Sequence, residues 1–136
     1  MPMLPSGLPE KVSSAEPLAR FLNSSRLFNT SGRIKPAAFM PRDGETSVFR
    51  VGTMGDDELW ETGEKHLDLP KGRQIHGVAF VSTRNVWTSG LDIEAKEPPP
   101  RHANIIGWQT DGTALAKARN KELSARLAQQ AELKKQ

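Results

Sequence analysis

The 136-residue chain contains no cysteine. Disulfides, thiolate metal sites and cysteine nucleophiles are therefore excluded. Tyrosine is also absent and aromatic residues make up only 6%, which argues against an aromatic platform for stacking single-stranded bases. Trp60, Trp87 and Trp108 lie in apolar contexts and read as core. No apolar run approaches the length of a membrane span. The opening MPMLPSGLPEKVSS lacks the basic start and apolar stretch of a secretory signal. A cytoplasmic location is the expectation, and the Asn23 and Asn29 sequons then carry no meaning. The GxxxxGK[ST], GxGxxG, HExxH and GxSxG patterns are all missing. Three scattered histidines offer no metal-ligand spacing, so neither a metal nor a cofactor is expected.

What is present suits one domain of modest core. The formal charge of +3 is unevenly placed. Residues 113–136 hold six bases against two acids, whereas the rest of the chain holds 13 bases and 14 acids. A neutral body with a basic tail weakens any reading of the whole fold as a polyanion grip.

The pattern predicts an α+β fold: a small, mostly antiparallel sheet packed with two or three helices, ending in an amphipathic C-terminal helix. Residues 1–15 read as a flexible leader, 16–130 as the domain, and 131–136 as a frayed end. AEPLARFL reads as a short helix, with Pro17 in its first turn. Ala37–Met40 reads as a strand joined through the Arg42-Asp43-Gly44 turn to a second strand, ETSVFRV. Alternation there separates Thr46 and Val48 from Ser47 and Phe49. Helices are expected near 53–65, 83–89 and 113–130, and further strands at 73–81, 91–94 and 103–108. The last helix carries a stripe of Leu115, Leu123, Leu127 and Leu133, interrupted by Arg119, Arg126 and Lys134.

Candidate polar residues gather near predicted strand ends. Arg33 and Lys35 flank Ile34 and point to one side of an extended segment, a geometry suited to phosphate. Arg50 and Arg101 are further anion-binding candidates. His76 and His102 are candidate catalytic residues: one imidazole takes a proton from a nucleophile, the other gives one to a leaving oxygen, and a cation steadies the charge. Ser47 has no identifiable base partner in the sequence. Each residue also has a structural alternative, as a solvated strand edge or a histidine bonded to the main chain.

The order GRIKPAAFMP, ETSVFR, PPPRHANIIGW, together with DELWETGE, resembles a group of small bacterial proteins over roughly residues 18–125. The resemblance implies a bacterial, cytoplasmic, single-domain protein and no activity.

The reading preferred on these grounds is a small binding module for a phosphate-bearing partner, nucleic acid or nucleotide, serving as an accessory subunit of a larger complex. One alternative is an enzyme cleaving or transferring phosphoesters with His76 and His102. The other is a protein-interaction module whose C-terminal helix, within 113–136, offers Leu115, Leu123 and Leu127 to a partner. No membrane association is expected.

Overall fold

In a computed structural model, which describes residues 2–68 and 74–135, six antiparallel strands form one sheet. The strands are β1 (Pro17–Leu22), β2 (Thr46–Arg50), β3 (Gly77–Ser82), β4 (Asp92–Ala95), β5 (His102–Ile106) and β6 (Glu132–Lys135). Their order across the sheet is β4-β5-β2-β1-β3-β6. Three helices accompany them: α1 (Asp56–Gly63), α2 (Thr83–Thr88) and α3 (Ala114–Gln130). This is the small α+β domain with a C-terminal helix that the pattern predicts.

The sheet buries both faces. On one side Leu18, Leu22, Val48, Ala79, Val81 and Ile105 pack with Leu123, Leu127 and Ala128 of α3. On the other, Ala19, Phe21, Phe49 and Val78 pack with Leu59 of α1. Burial on both faces explains why AEPLARFL misreads as a helix. A strand covered on each side shows a continuous apolar run instead of clean alternation, and β1 has almost no polar face.

Three further elements differ from expectation. Pro36–Ala38 forms a 3-10 turn where a strand is expected, with Pro36 opening it, so no hairpin joins 37–40 to β2. Instead β2 pairs with β1 and β5. The turn chemistry itself is present: Arg42 bridges Glu45 across Asp43 and Gly44, both at positive φ. Helix α1 starts at Asp56 behind Gly55 with no side-chain cap, although the acids of its first turn suit its dipole. It continues as a π-helical turn, Glu64–Asp68. Finally, the stretch expected to fray is β6. Helix α3 stops at Gln130 because the open edge of β3 recruits 132–135, which seats Leu133 against the core. Strand β3 begins at Gly77, and Arg73 of the longer predicted strand lies outside the described residues.

Helix α2 forms as expected, capped by Ser82 Oγ accepting from the Asn85 amide and closed by Gly90 at φ 90°. Trp108 is buried with its indole N–H on the Ile105 carbonyl, whereas Trp87 is 38% exposed and donates to Asp92. Among the described residues, no helix is long and apolar enough to cross a membrane.

The segment read as a leader lies against this body. Val12 is buried, Ser6 donates to the Glu97 carboxylate from both its amide and hydroxyl, and the Pro9 carbonyl accepts from Arg50.

Candidate functional site: a serine and a histidine on one sheet face

Strand register brings Ser47 and His102 together. Ser47 pairs with Asn104 and Phe49 with His102, so all four project from the same sheet face and Ser47 is the diagonal neighbour of His102. The imidazole Nε2 lies 2.7 Å from Ser47 Oγ. Its other nitrogen, Nδ1, lies 2.8 Å from the Lys96 carbonyl oxygen. A carbonyl only accepts, so Nδ1 carries the proton of the neutral ring. Nε2 is then a lone pair facing the serine hydroxyl, which donates to it.

The proline-rich loop before β5 sets this orientation. The Lys96 amide donates to the His102 carbonyl and the His102 amide to the Pro99 carbonyl, folding the loop onto the start of the strand. Arg101 takes φ 70°, a costly value for a side-chain-bearing residue. Its amide is held there by the Glu97 carboxylate, which also receives Ser6. Burial pushes the Glu97 carboxyl upward, but these bonds from Ser6 and Arg101 outweigh it and hold the group below its usual range. The leader thus braces the loop that aims His102.

Around the pair are Phe49, whose ring meets His102 edge-on with centroids 5.5 Å apart, and His66 from the π-helical turn, stacked on Phe49 at 5.9 Å. Burial, then the charges of Lys65 and His102, lower the His66 pKa below its ordinary value. His66 therefore favours its neutral form in this setting.

Ser47 opens onto a cleft of about 510 Å³, whose wall includes Arg20, Phe21, Met40, Arg42 and Asn104. Asn104 is buried and donates to the Glu45 carboxylate. Arg20 donates from Nε to the Ala38 carbonyl at 2.9 Å and from Nη1 to the Ser47 carbonyl at 3.0 Å.

The candidates named from the sequence are distributed differently. His76 lies just before β3, its amide bonded to the Leu22 carbonyl. Strands β1 and β2 stand between β3 and β5, a separation of three strand spacings or roughly 14 Å. His76 is further displaced along the strand, because His102 lies level with Phe80. The two side chains do not share a centre, and the imidazole close to His102 is His66.

Arg50 is 1% exposed and forms a two-bonded ion pair with Glu16, at 2.8 and 2.9 Å. Its donors serve the fold instead of a ligand. Arg101 donates to Thr53 Oγ1, joining its loop to the approach to α1. Arg33 and Lys35 are exposed on either side of buried Ile34, as their spacing predicts, but neither lines the cleft. Leu123 and Leu127 are core residues and cannot meet a partner, while Leu115 is 82% exposed. Among the described residues, no three His, Asp or Glu side chains gather into a metal-binding group.

Sequence reasoning passed over Ser47 as a nucleophile, and over His66 and Arg20. The signal available for Ser47 was its alternation with Phe49. Its partner, 55 residues away, emerges only from the β2–β5 register. Comparison with protein-family models, curated proteins and solved structures found no match, so the bacterial resemblance gains no counterpart.

Proposed function

We propose that the protein is an enzyme that hydrolyses or transfers an ester, with Ser47 as nucleophile and His102 as general base. The observation that carries this reading is the pair of contacts on the His102 ring, Nδ1 on the Lys96 carbonyl oxygen and Nε2 on the hydroxyl of Ser47, which lines the cleft. In the first step Ser47 Oγ bonds to the electrophilic centre of the ester while its proton passes to Nε2. The leaving oxygen departs with that proton. Water, or an acceptor alcohol, then gives its proton to Nε2 and attacks the same centre, which releases Ser47 Oγ–H. The Arg20 guanidinium, bonded to the Ser47 main-chain carbonyl, lines the same cleft and offers it positive charge.

This reading modifies the two-histidine enzyme, with Ser47 and His102 in place of His76 and His102. The binding-module reading rested on Arg33, Lys35, Arg50 and Arg101. It loses support because Arg50 is paired inside the fold and Arg33 and Lys35 stand away from the cleft.

The test is hydrolysis of p-nitrophenyl acetate by the purified protein, alongside Ser47→Ala and His102→Ala. Each variant should fall by about 10²–10⁴-fold while circular dichroism stays that of the parent. Intact-mass measurement should detect an acetyl group on the parent and not on Ser47→Ala. Parent turnover no faster than that of the two variants would overturn the assignment.

A further inference from the structure

Arg20 occupies a position that the fold would ordinarily give to an apolar residue. Leu18 and Leu22, two positions to either side, are fully buried in the main core. Beside Arg20 the β1–β2 pairing ends, after Ala19 meets Phe49. The guanidinium reaches into the space between the diverging strands and bonds the Ser47 carbonyl, which further pairing would have used. That explains an arginine with two hydrogen bonds. It does not explain one that is half-buried on the wall of a cleft.

Guanidinium offers five N–H donors, and the two carbonyls take two of them. Among the described residues no carboxylate lies within ion-pairing distance of Arg20. Arg50, the other enclosed arginine of this sheet, has its own glutamate. Burial accordingly lowers the Arg20 pKa, with no opposing contribution from an acidic neighbour. A cation removed from water without a counter-ion is costly unless something neutralises it. Arg42 lines the same cleft, as do Asp43 and Glu45, and Glu45 is bonded to Asn104. The lining therefore combines the remaining Arg20 donors with side chains of both signs, which suits a ligand that carries negative charge on one of its groups.

We propose that Arg20 is the phosphate-binding residue of this cleft, placing the phosphate group of a small ligand beside Ser47. The fork of remaining donors matches two oxygens of a phosphate. The inference rests on the Ser47 reading for what the bound phosphate is there to do, and makes the substrate class a phosphate-bearing ester.

The experiment follows the arginine Nε–Hε NMR resonances of the intact chain during titration with inorganic phosphate, with chloride at matched ionic strength as reference. The Nε proton of Arg20, bonded to the Ala38 carbonyl, is protected enough to observe, and Arg20→Lys identifies its signal. The expected result is a saturable shift of that resonance with phosphate alone, in the parent and equally in Ser47→Ala. Phosphate should also raise the melting temperature of the parent but not of Arg20→Gln. A resonance that moves alike with phosphate and chloride overturns the proposal and leaves Arg20 a strut between strands. If Arg20→Gln does not fold, the titration of the parent still decides. A phosphate shift without ester turnover keeps the anion site and removes the Ser47 reading, whereas turnover without a shift does the reverse.

Discussion

At the scale of single residues, charge enclosed by the fold has measurable consequences. Arg50 is shut away from water and held by Glu16 and the Pro9 carbonyl. Replacing Glu16 with Gln strands that cation, and a loss of about 3 kcal/mol is expected, read as a lower urea midpoint. Burial pushes the Glu16 carboxyl upward, but its bonds to Arg50 and Ser13 win and leave it below the usual value of 4.5. A depressed carboxylate stabilises the fold fully above its unfolded pKa, and the contribution disappears as pH falls through the folded value. Stability of the parent should therefore decline in acid more steeply than that of Glu16→Gln. His66 has the complementary signature. Its imidazole pKa lies below the ordinary 6.5, so the unfolded chain binds more protons and stability falls as pH drops below that value. His66→Gln should flatten urea midpoints measured from pH 7 downward. The sequence displayed each of these charges but not its partner. Arg50 therefore read as a ligand contact when its counter-ion lay 34 residues upstream, and Ser47 read as lacking a base. Ion pairs and diagonal sheet neighbours are set by register, which no local spacing encodes.

Among the elements, the contrast between helix positions is sharp. Leu127 is fully buried under the sheet and Leu115 is 82% exposed, although both belong to one apparent stripe. Leu127→Ala should cost about 2–5 kcal/mol, and Leu115→Ala less than about 0.5 kcal/mol, as measured by chemical denaturation. Gly63 gives a less intuitive outcome. Alanine is the better helix former by about 1 kcal/mol, yet a Cβ there would lie 2.8 Å from the Phe21 ring. That ring is 6% exposed and packs edge-on against Phe49. Overpacking of this kind costs about 1–3 kcal/mol, so Gly63→Ala should destabilise the protein by about 1 kcal/mol. Elements with local signals were legible: the short helix near 83–89, the alternation of β2 and the turn at Asp43-Gly44. Strands β1 and β6 were not. The first is covered on both faces, and the second is a helix-forming sequence captured by a free sheet edge, so tertiary context outweighs local preference in each.

For the whole molecule, the sheet is the frame and its margins need cover. Strand β6 satisfies the outer ladder of β3 from Gly77 to Phe80. Deleting residues 131–136 would leave that row of amides and carbonyls open, which invites pairing between molecules. The shortened chain should self-associate with rising concentration under light scattering while the parent does not. The leader closes the opposite end of the structure, since Ser6 and Pro9 reach Glu97 and Arg50 across the fold. The alanine or glycine replacement of a residue near the amino terminus, Ser6 above all, is thus expected to reach the serine–histidine pair through the Glu97 loop.

In that pair the third participant is a peptide oxygen. No side-chain exchange at position 96 deletes it, because every amino acid brings the same carbonyl. Lysine there is replaceable, whereas the path of the prolines that follow is not. The geometry of the imidazole is inherited from the shape of the chain, and drift in sequence at Lys96 would leave the contact between His102 and Ser47 untouched.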